Sequence, residues 1–303
     1  MPHELAVLGV PTSAGAHHAG QDLTPAALRA AGLVDRLAAA GVRIHDVGDV
    51  AGSVWAPDRP DAGARNIDAV TRVAAGVADS VERERAAGRV VLVVGGDCTI
   101  TLGVVAGLQR GASVALAYVD GDADLNAPDR GSGILDATGV AHLLGIADNS
   151  LSRLGPRFPM LDETRLALLG YDPDDVDSVD RDALAARPGL RHATYAELTA
   201  DPAGLAARAR DDLVGEALVV HFDVDVVDGR ALPLANFPHY GTGVPVETVR
   251  TVLSTLLESD RLAGVVLTEV NPTHDPSGAL LERYAGLVVD VVGRAASLRG
   301  DRG

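Results

Sequence analysis

The sequence predicts an α/β protein, a single domain over residues 1–303 built around a mostly parallel sheet. Three observations lead there. Short runs of Val, Leu and Ala alternate with stretches of helical spacing, and no long linker interrupts them. Several of these runs, Val90–Val94 among them, are apolar without a break, as in strands buried on both faces. Acidic or polar residues then follow the apolar runs, where open parallel sheets bind their ligands.

Residues 5–10 read as the first strand, ending in Gly9-Val-Pro11, and the loop 12–23 carries Gly15, His17, His18 and Gly20. Thr24-Pro25 has the form of an N-cap with proline at the first helical position, which predicts a helix to about Ala40. Residues 42–47 form a second strand. A Gly-, Pro- and Asp-rich loop over 51–65 leads into a helically spaced stretch at 66–87. The strand Val90–Val94 ends at Gly95-Gly-Asp-Cys98, and 99–108 is a helix. Residues 113–119 are a strand ending in Asp120-Gly-Asp-Ala-Asp124. A loop at 131–137 precedes a helix at 139–145. The strand 166–170 ends in Tyr171-Asp-Pro-Asp174, Arg191–Thr194 is a weaker strand, and a helix lies around 202–213. Residues 217–222 are a strand closed by Asp223-Val-Asp225, followed by an irregular loop over 228–242 and a helix at 245–257. The last strand, 264–267, runs into Glu269-Val-Asn-Pro272, and 277–298 is the C-terminal helix.

Composition narrows the function. Hydrophobic residues make up 47% of the chain and aromatics 3%, so the core must be Ala, Val and Leu. The formal net charge of −16 argues against nucleic acid and anionic membranes and suits a small cationic substrate. Cys98 is the one cysteine, which rules out an intrachain disulfide. With no signal-like or membrane-length apolar run, a cytoplasmic location is expected. All 26 basic residues are Arg, which removes a lysine Schiff base and the phosphate-loop lysine, and no G-x-S-x-G elbow occurs.

In extended chain Asp120, Asp122 and Asp124 point the same way, and three carboxylates that close repel unless a cation sits among them. Alone, this could be a solvated acidic turn. A second such stretch, His221-Phe-Asp-Val-Asp225, ends another apolar run, and together the two point to a divalent metal or a metal pair. Cys98 could be a small buried hydrophobe or a member of this site. His221 reads as a core histidine before a ligand, His17 and His18 as rim residues before donors of a missing imidazole, His239 and His274 as loop residues, and His142 as helix surface or packing.

From about residue 5 to 288 the chain resembles the ureohydrolases, the arginase/agmatinase family of dimanganese enzymes that hydrolyse guanidino groups to urea. Gly95-Gly-Asp-Cys98 stands for Gly-Gly-Asp-His and Asp120-Gly-Asp-Ala-Asp124 for Asp-Ala-His-x-Asp, while Phe222-Asp-Val-Asp225 and Glu269-Val-Asn-Pro272 match unchanged. The resemblance implies a three-layer α/β/α fold with an eight-stranded parallel sheet, and by analogy a trimer or hexamer. It implies metal ligands Cys98, Asp120, Asp122, Asp124, Asp223 and Asp225, with Asp120 and Asp223 bridging. Glu269 would hold the guanidinium. Asn126 and Ser132 stand where arginases hold the α-carboxylate, and Asp174 where they receive the α-amino group.

Several functional positions depart from the pattern. Cys98 and Asp122 replace the histidine ligands, Asp136-Ala137 the His-Gly of the proton-shuttle loop, and Val244 a threonine. Five carboxylates and a thiolate around two divalent ions leave about two negative charges in excess, which weakens the metals as Lewis acids. A thiolate also favours softer ions than Mn²⁺, so one or two ions of Mn, Zn, Fe or Ni are the candidates. A cysteine at the first position also occurs in an arginase-like hydrolase of N-hydroxyarginine. Two functions follow. One is a metal-dependent hydrolase of a C–N bond in a guanidino-type molecule, in which metal-activated water attacks the guanidinium carbon and Asp136 protonates the leaving amine. The other is a catalytically silent protein of this fold, its carboxylates protonated or paired to arginine, acting as a partner subunit.

Overall fold

In the computed structural model, residues 4–59, 63–176 and 178–300 are described. Eight strands build one sheet: β1 (Leu5–Gly9), β2 (Ile44–Asp49), β3 (Val90–Val94), β4 (Val114–Val119), β5 (Leu166–Tyr171), β6 (Arg191–Thr194), β7 (Ala217–Asp223) and β8 (Leu262–Thr268). Their order is β2-β1-β3-β8-β7-β4-β5-β6, and every neighbouring pair is parallel. The strands at the centre are buried along their whole length, because helices cover both faces. The edges β2 and β6 are partly exposed and carry His45, Asp46, Arg191 and His192, which makes them poor templates for further pairing.

Ten α-helices accompany the sheet among the described residues: α1 (Thr24–Ala30), α2 (Leu33–Ala39), α3 (Ile67–Ala86), α4 (Ile100–Leu108), α5 (Gly139–Leu143), α6 (Ser178–Ala185), α7 (Tyr195–Ala200), α8 (Pro202–Asp212), α9 (Val246–Leu257) and α10 (Ala279–Gly300). Side chains alternate across the sheet. On β3, Val90, Leu92 and Val94 join the core under α1, α2 and α7–α10, while Val91 and Val93 join the core under α3, α4 and α5. The fold is therefore a three-layer α/β/α sandwich, as expected. Each fully buried Leu or Val in these layers stabilises it by roughly 1.5–3 kcal/mol. Among the described residues, no helix is long and apolar enough to cross a membrane.

Some expected boundaries shift for local reasons. The helix expected over 24–40 is two helices, because Gly32 adopts a left-handed φ of 75° between them. The strand expected at 42–47 lies at Ile44–Asp49, in register with β1. Helices α6 and α7 follow stretches with too few apolar residues to show helical spacing. Even so, α7 begins with a complete capping box, in which the Glu197 amide donates to Thr194 Oγ1 and the Glu197 carboxylate accepts from the Thr194 amide.

The strand order matters most for function. The strands β3, β8, β7 and β4 are contiguous at the centre of the sheet. Each runs straight into one of the motifs, at Cys98, Glu269, Asp223 and Asp120 respectively. Register aligns them: Val119 is paired with Phe222, and Asp223 with Thr268.

Candidate active site

Asp120, Asp124, Asp223, Asp225, Cys98 and Glu269 are all buried at the carboxyl end of the sheet. Together with Asp122 and Asp136 they line one pocket, whose rim includes His17, Asn236 and Phe237. Backbone amides orient the carboxylates. Gly121 N donates to Asp225 Oδ1 (3.0 Å), Asp122 N to Asp120 Oδ1 (2.7 Å) and Asp225 N to Asp223 Oδ1 (2.8 Å). Tyr118 Oη donates to Asp124 Oδ2 at 2.7 Å. Asp124 and Glu269 sit in left-handed backbone, with φ of 52° and 61°, where non-glycine residues are uncommon and local strain collects at functional sites.

Crowding so many buried acids has an electrostatic consequence. Burial, joined by the neighbouring carboxylates, pushes Asp120, Asp124 and Asp223 well above the usual carboxylate range and Asp225 to about 6. Burial likewise raises the Cys98 thiol, as do the charges of Asp223 and Glu269. Among the described residues no arginine pairs with Asp120, Asp122, Asp124, Asp223 or Asp225, and the ion-pair contacts they do make are to His221 and His239. Neutralisation by arginine is therefore not the solution here.

Three groups of donor atoms lie within 4.8 Å of one another: Cys98, Asp120, His221 and Asp223; Asp120, Asp122 and Asp225; and Asp122, Asp175 and His239. The donor set fits divalent cations. Carboxylate oxygens suit hard ions such as Mn²⁺, and the thiol and imidazole of the first group also admit softer ones. The buried carboxylates lack the compensating charge that such a cation brings.

The histidines differ most from expectation. His221 is a fully buried histidine, stacked on Tyr118 with ring centroids 3.9 Å apart. Its Nδ1 is 2.7 Å from Thr101 Oγ1, but its Nε2 faces the site, 3.4 Å from Asp120 Oδ2 and 3.8 Å from Cys98 Sγ. Burial holds its pKa down to about 3, so it presents a neutral imidazole. His239, expected to be a plain loop residue, is buried beside Asp122 with Nε2 3.5 Å from Asp122 Oδ1. His17 stays at the rim, edge-on to Phe237. His142 is buried in helix packing, its Nδ1 2.8 Å from the Thr138 carbonyl.

The residues expected to hold the rest of a substrate divide. Asn126 and Ser132 line an adjoining pocket that shares Asp122, Asp124, Ala137 and Asp175 with the first. Asp174 is on neither wall. Its amide caps Asp172 Oδ1 at 3.0 Å and its side chain is exposed in the turn, so the structure puts Asp175 where Asp174 was expected. Asp136 is half-buried on the wall, its carboxyl raised by burial and by Glu269, Asp97 and Asp124. Glu269 Oε1 accepts from the Cys98 amide (3.0 Å) and Oε2 from Gln21 Nε2 (2.8 Å). Burial and Asp97 lift its pKa to about 8. Gln21 was not singled out from the sequence. It reaches the site from the loop after β1, which Asp97 anchors by accepting from Gly15 N at 2.9 Å.

Residues 3–296 match the arginase family. The chain belongs to the arginase family. It is 28% identical to an arginase of Brevibacillus brevis, over 97% of this chain and 99% of that one. It is also 28% identical to the mitochondrial arginase-2 of Oryctolagus cuniculus, over 96% and 84%. A solved arginase structure from Bacillus caldovelox superposes with a TM-score of 0.84 at 23% identity, covering 97% of this chain and 98% of that one, which bears on the fold alone. The eight-stranded parallel sheet belongs to the fold the chain shares with that structure. Cys98, Asp122 and Asp136, where the sequence pattern led to an expected departure from the family, all line the pocket.

Proposed function

We propose that this arginase-family chain is a metal-dependent hydrolase that cleaves a C–N bond in a guanidino-type small molecule, of the hydroxylated-arginine kind in preference to arginine itself. The observation that carries the reading is the convergence of six acids and a thiol from four adjacent strand ends on one pocket with no arginine among the aspartates. Divalent cations are the economical resolution, one or two per chain, with Mn²⁺ first among them.

Cys98, Asp120 and Asp223, with His221 behind them, would hold one ion, and Asp122 and Asp225 a second one shared through Asp120. A bound divalent ion supplies there the nucleophile for the guanidinium carbon, by lowering the pKa of water. The chain's own residues do the rest. Glu269, fixed by Gln21 and the Cys98 amide, becomes a carboxylate when a guanidinium enters and holds it by charge-assisted hydrogen bonds. Asp136, whose raised pKa keeps a proton on its carboxyl, gives that proton to the leaving nitrogen as the C–N bond breaks. Asn126 and Ser132 face the tail of the substrate, and Asp175 attracts an amino group there.

The replaced histidines favour one rival. Buried acids that keep their protons need no metal, and such a protein would be a silent member of the family. Metal analysis of chelated and reloaded protein, then urea and hydroxyurea release from arginine, agmatine and N-hydroxyarginine, separates the two. One or two ions per chain with release from a guanidino substrate is expected. No bound ion after exposure to Mn, Zn, Fe and Ni sinks the hydrolase.

A further inference from the structure

We infer that His239 is a ligand of the second metal and supplies, from the loop after β7, the imidazole that position 122 lacks; this rests on the metal-dependent reading above. His239 is 8% exposed, and its Nε2 makes no hydrogen bond. That orphaned nitrogen is aimed at Asp122 Oδ1, 3.5 Å away. The gap is too long for a hydrogen bond. It matches the separation, about 3.4 Å, of two donors that each lie about 2.1 Å from one tetrahedral ion. On the far side of the ring Nδ1 lies 3.9 Å from Asp172 Oδ2, so a carboxylate stands behind the imidazole, as one commonly does behind metal-bound histidines.

Gly121 makes this possible. A Cβ built there would be 2.6 Å from His239 Cδ2 and 2.8 Å from Nε2, inside any tolerable contact. The resemblance places alanine at this position, and beside that alanine the imidazole would have to move from where it stands. The changes at 121 and 122 and the arrival of His239 are thus one rearrangement, which moves the nitrogen donor from a strand end to a facing loop. Asp122 belongs to both donor groups, one with Asp175 and His239 and one with Asp120 and Asp225, and its side chain is 42% exposed. The second ion therefore lies at the open side of the pocket, where it can enter and leave.

The test is metal stoichiometry and affinity for Mn²⁺, measured by elemental analysis and calorimetry on chelated full-length chain. Wild type should bind two ions. His239→Ala should keep the tighter ion and bind the other at least tenfold more weakly. Gly121→Ala, which leaves the imidazole in the chain but fills its space, should do the same. Thermal unfolding of the chelated proteins checks that both variants fold. If His239→Ala binds two ions with affinities unchanged within about threefold, the assignment of His239 is overturned while the hydrolase reading stands. A folded wild type that binds one ion also overturns it, and one that binds none takes the functional reading down with it.

Discussion

Stripped of metal, the protein should lose stability as the pH rises from 7 to 8. Two groups with raised folded values contribute in that window. Glu269 has a folded pKa of about 8, from burial and the charges of Asp97 and Asp225, against about 4.3 unfolded. A raised folded value means stability that is complete below the unfolded pKa and is lost as pH climbs through the folded one. His239 behaves in the same sense. Burial opposes its charge, but Asp122 and Asp225 prevail and lift it to about 9, from about 6.5 unfolded. Between pH 7 and 8 the native state thus binds up to two more protons than the unfolded chain. At about 1.36 kcal/mol per proton per pH unit, these two groups alone lower the unfolding free energy by up to about 2.7 kcal/mol. Asp225, at about 6, has largely titrated below this window, and His221, held at about 3, is neutral in both states above pH 7. Asp120, Asp124, Asp136 and Asp223 are raised too, and each adds to the fall at every pH between its unfolded and its folded value. Urea unfolding followed by circular dichroism at pH 7.0, 7.5 and 8.0 on EDTA-dialysed protein measures the slope. In protein reloaded with Mn²⁺ the ion takes the place of the protons, and the slope should flatten or reverse. A chelated protein whose stability is level or rises over this window would show that the acids are not held protonated as described.

Two further expectations concern single side chains. Glu269→Gln should leave the metal content as in wild type but lower kcat/KM for the guanidino substrate at least tenfold, because a hydrogen bond to a charged group contributes about 1.5–3 kcal/mol; steady-state kinetics beside elemental analysis decides it. Leu116→Ala, at a fully buried position on β4, should cost about 2–5 kcal/mol in urea unfolding through the cavity it opens, without changing the number of ions bound.

The sheet was readable because its central strands are apolar on both faces. Val90–Val94 was placed to the residue, and Arg191–Thr194 likewise despite its polarity. Where the pattern is mixed the reading slipped: Gly32 divides a helix, and α6 and α7 were not foreseen. The acids of the site were visible because each ends a strand, so one rule about parallel sheets gathers them. His239 was not visible, since it lies 14 residues beyond Asp225 in an irregular loop whose path no local pattern specifies. The absent side chain at Gly121 was the trace it left in the sequence. Asp174 and Asp175 are equivalent on paper, and only the turn decides which faces the pocket.

The order of the central strands also sets when this pocket can exist during synthesis. Cys98 follows β3 and Asp120 follows β4, yet β7 and β8 lie between those strands. Until the last strand emerges, the two halves of the donor set have nothing to hold them in register. Three strand spacings, roughly 14 Å, separate β3 from β4 themselves, and only the side chains at their ends bring Cys98 and Asp120 within 4.8 Å. A nascent chain therefore lacks the donor group that needs Cys98 until β8 is in place, whereas Asp120, Asp122 and Asp225 share the directly paired strands β4 and β7.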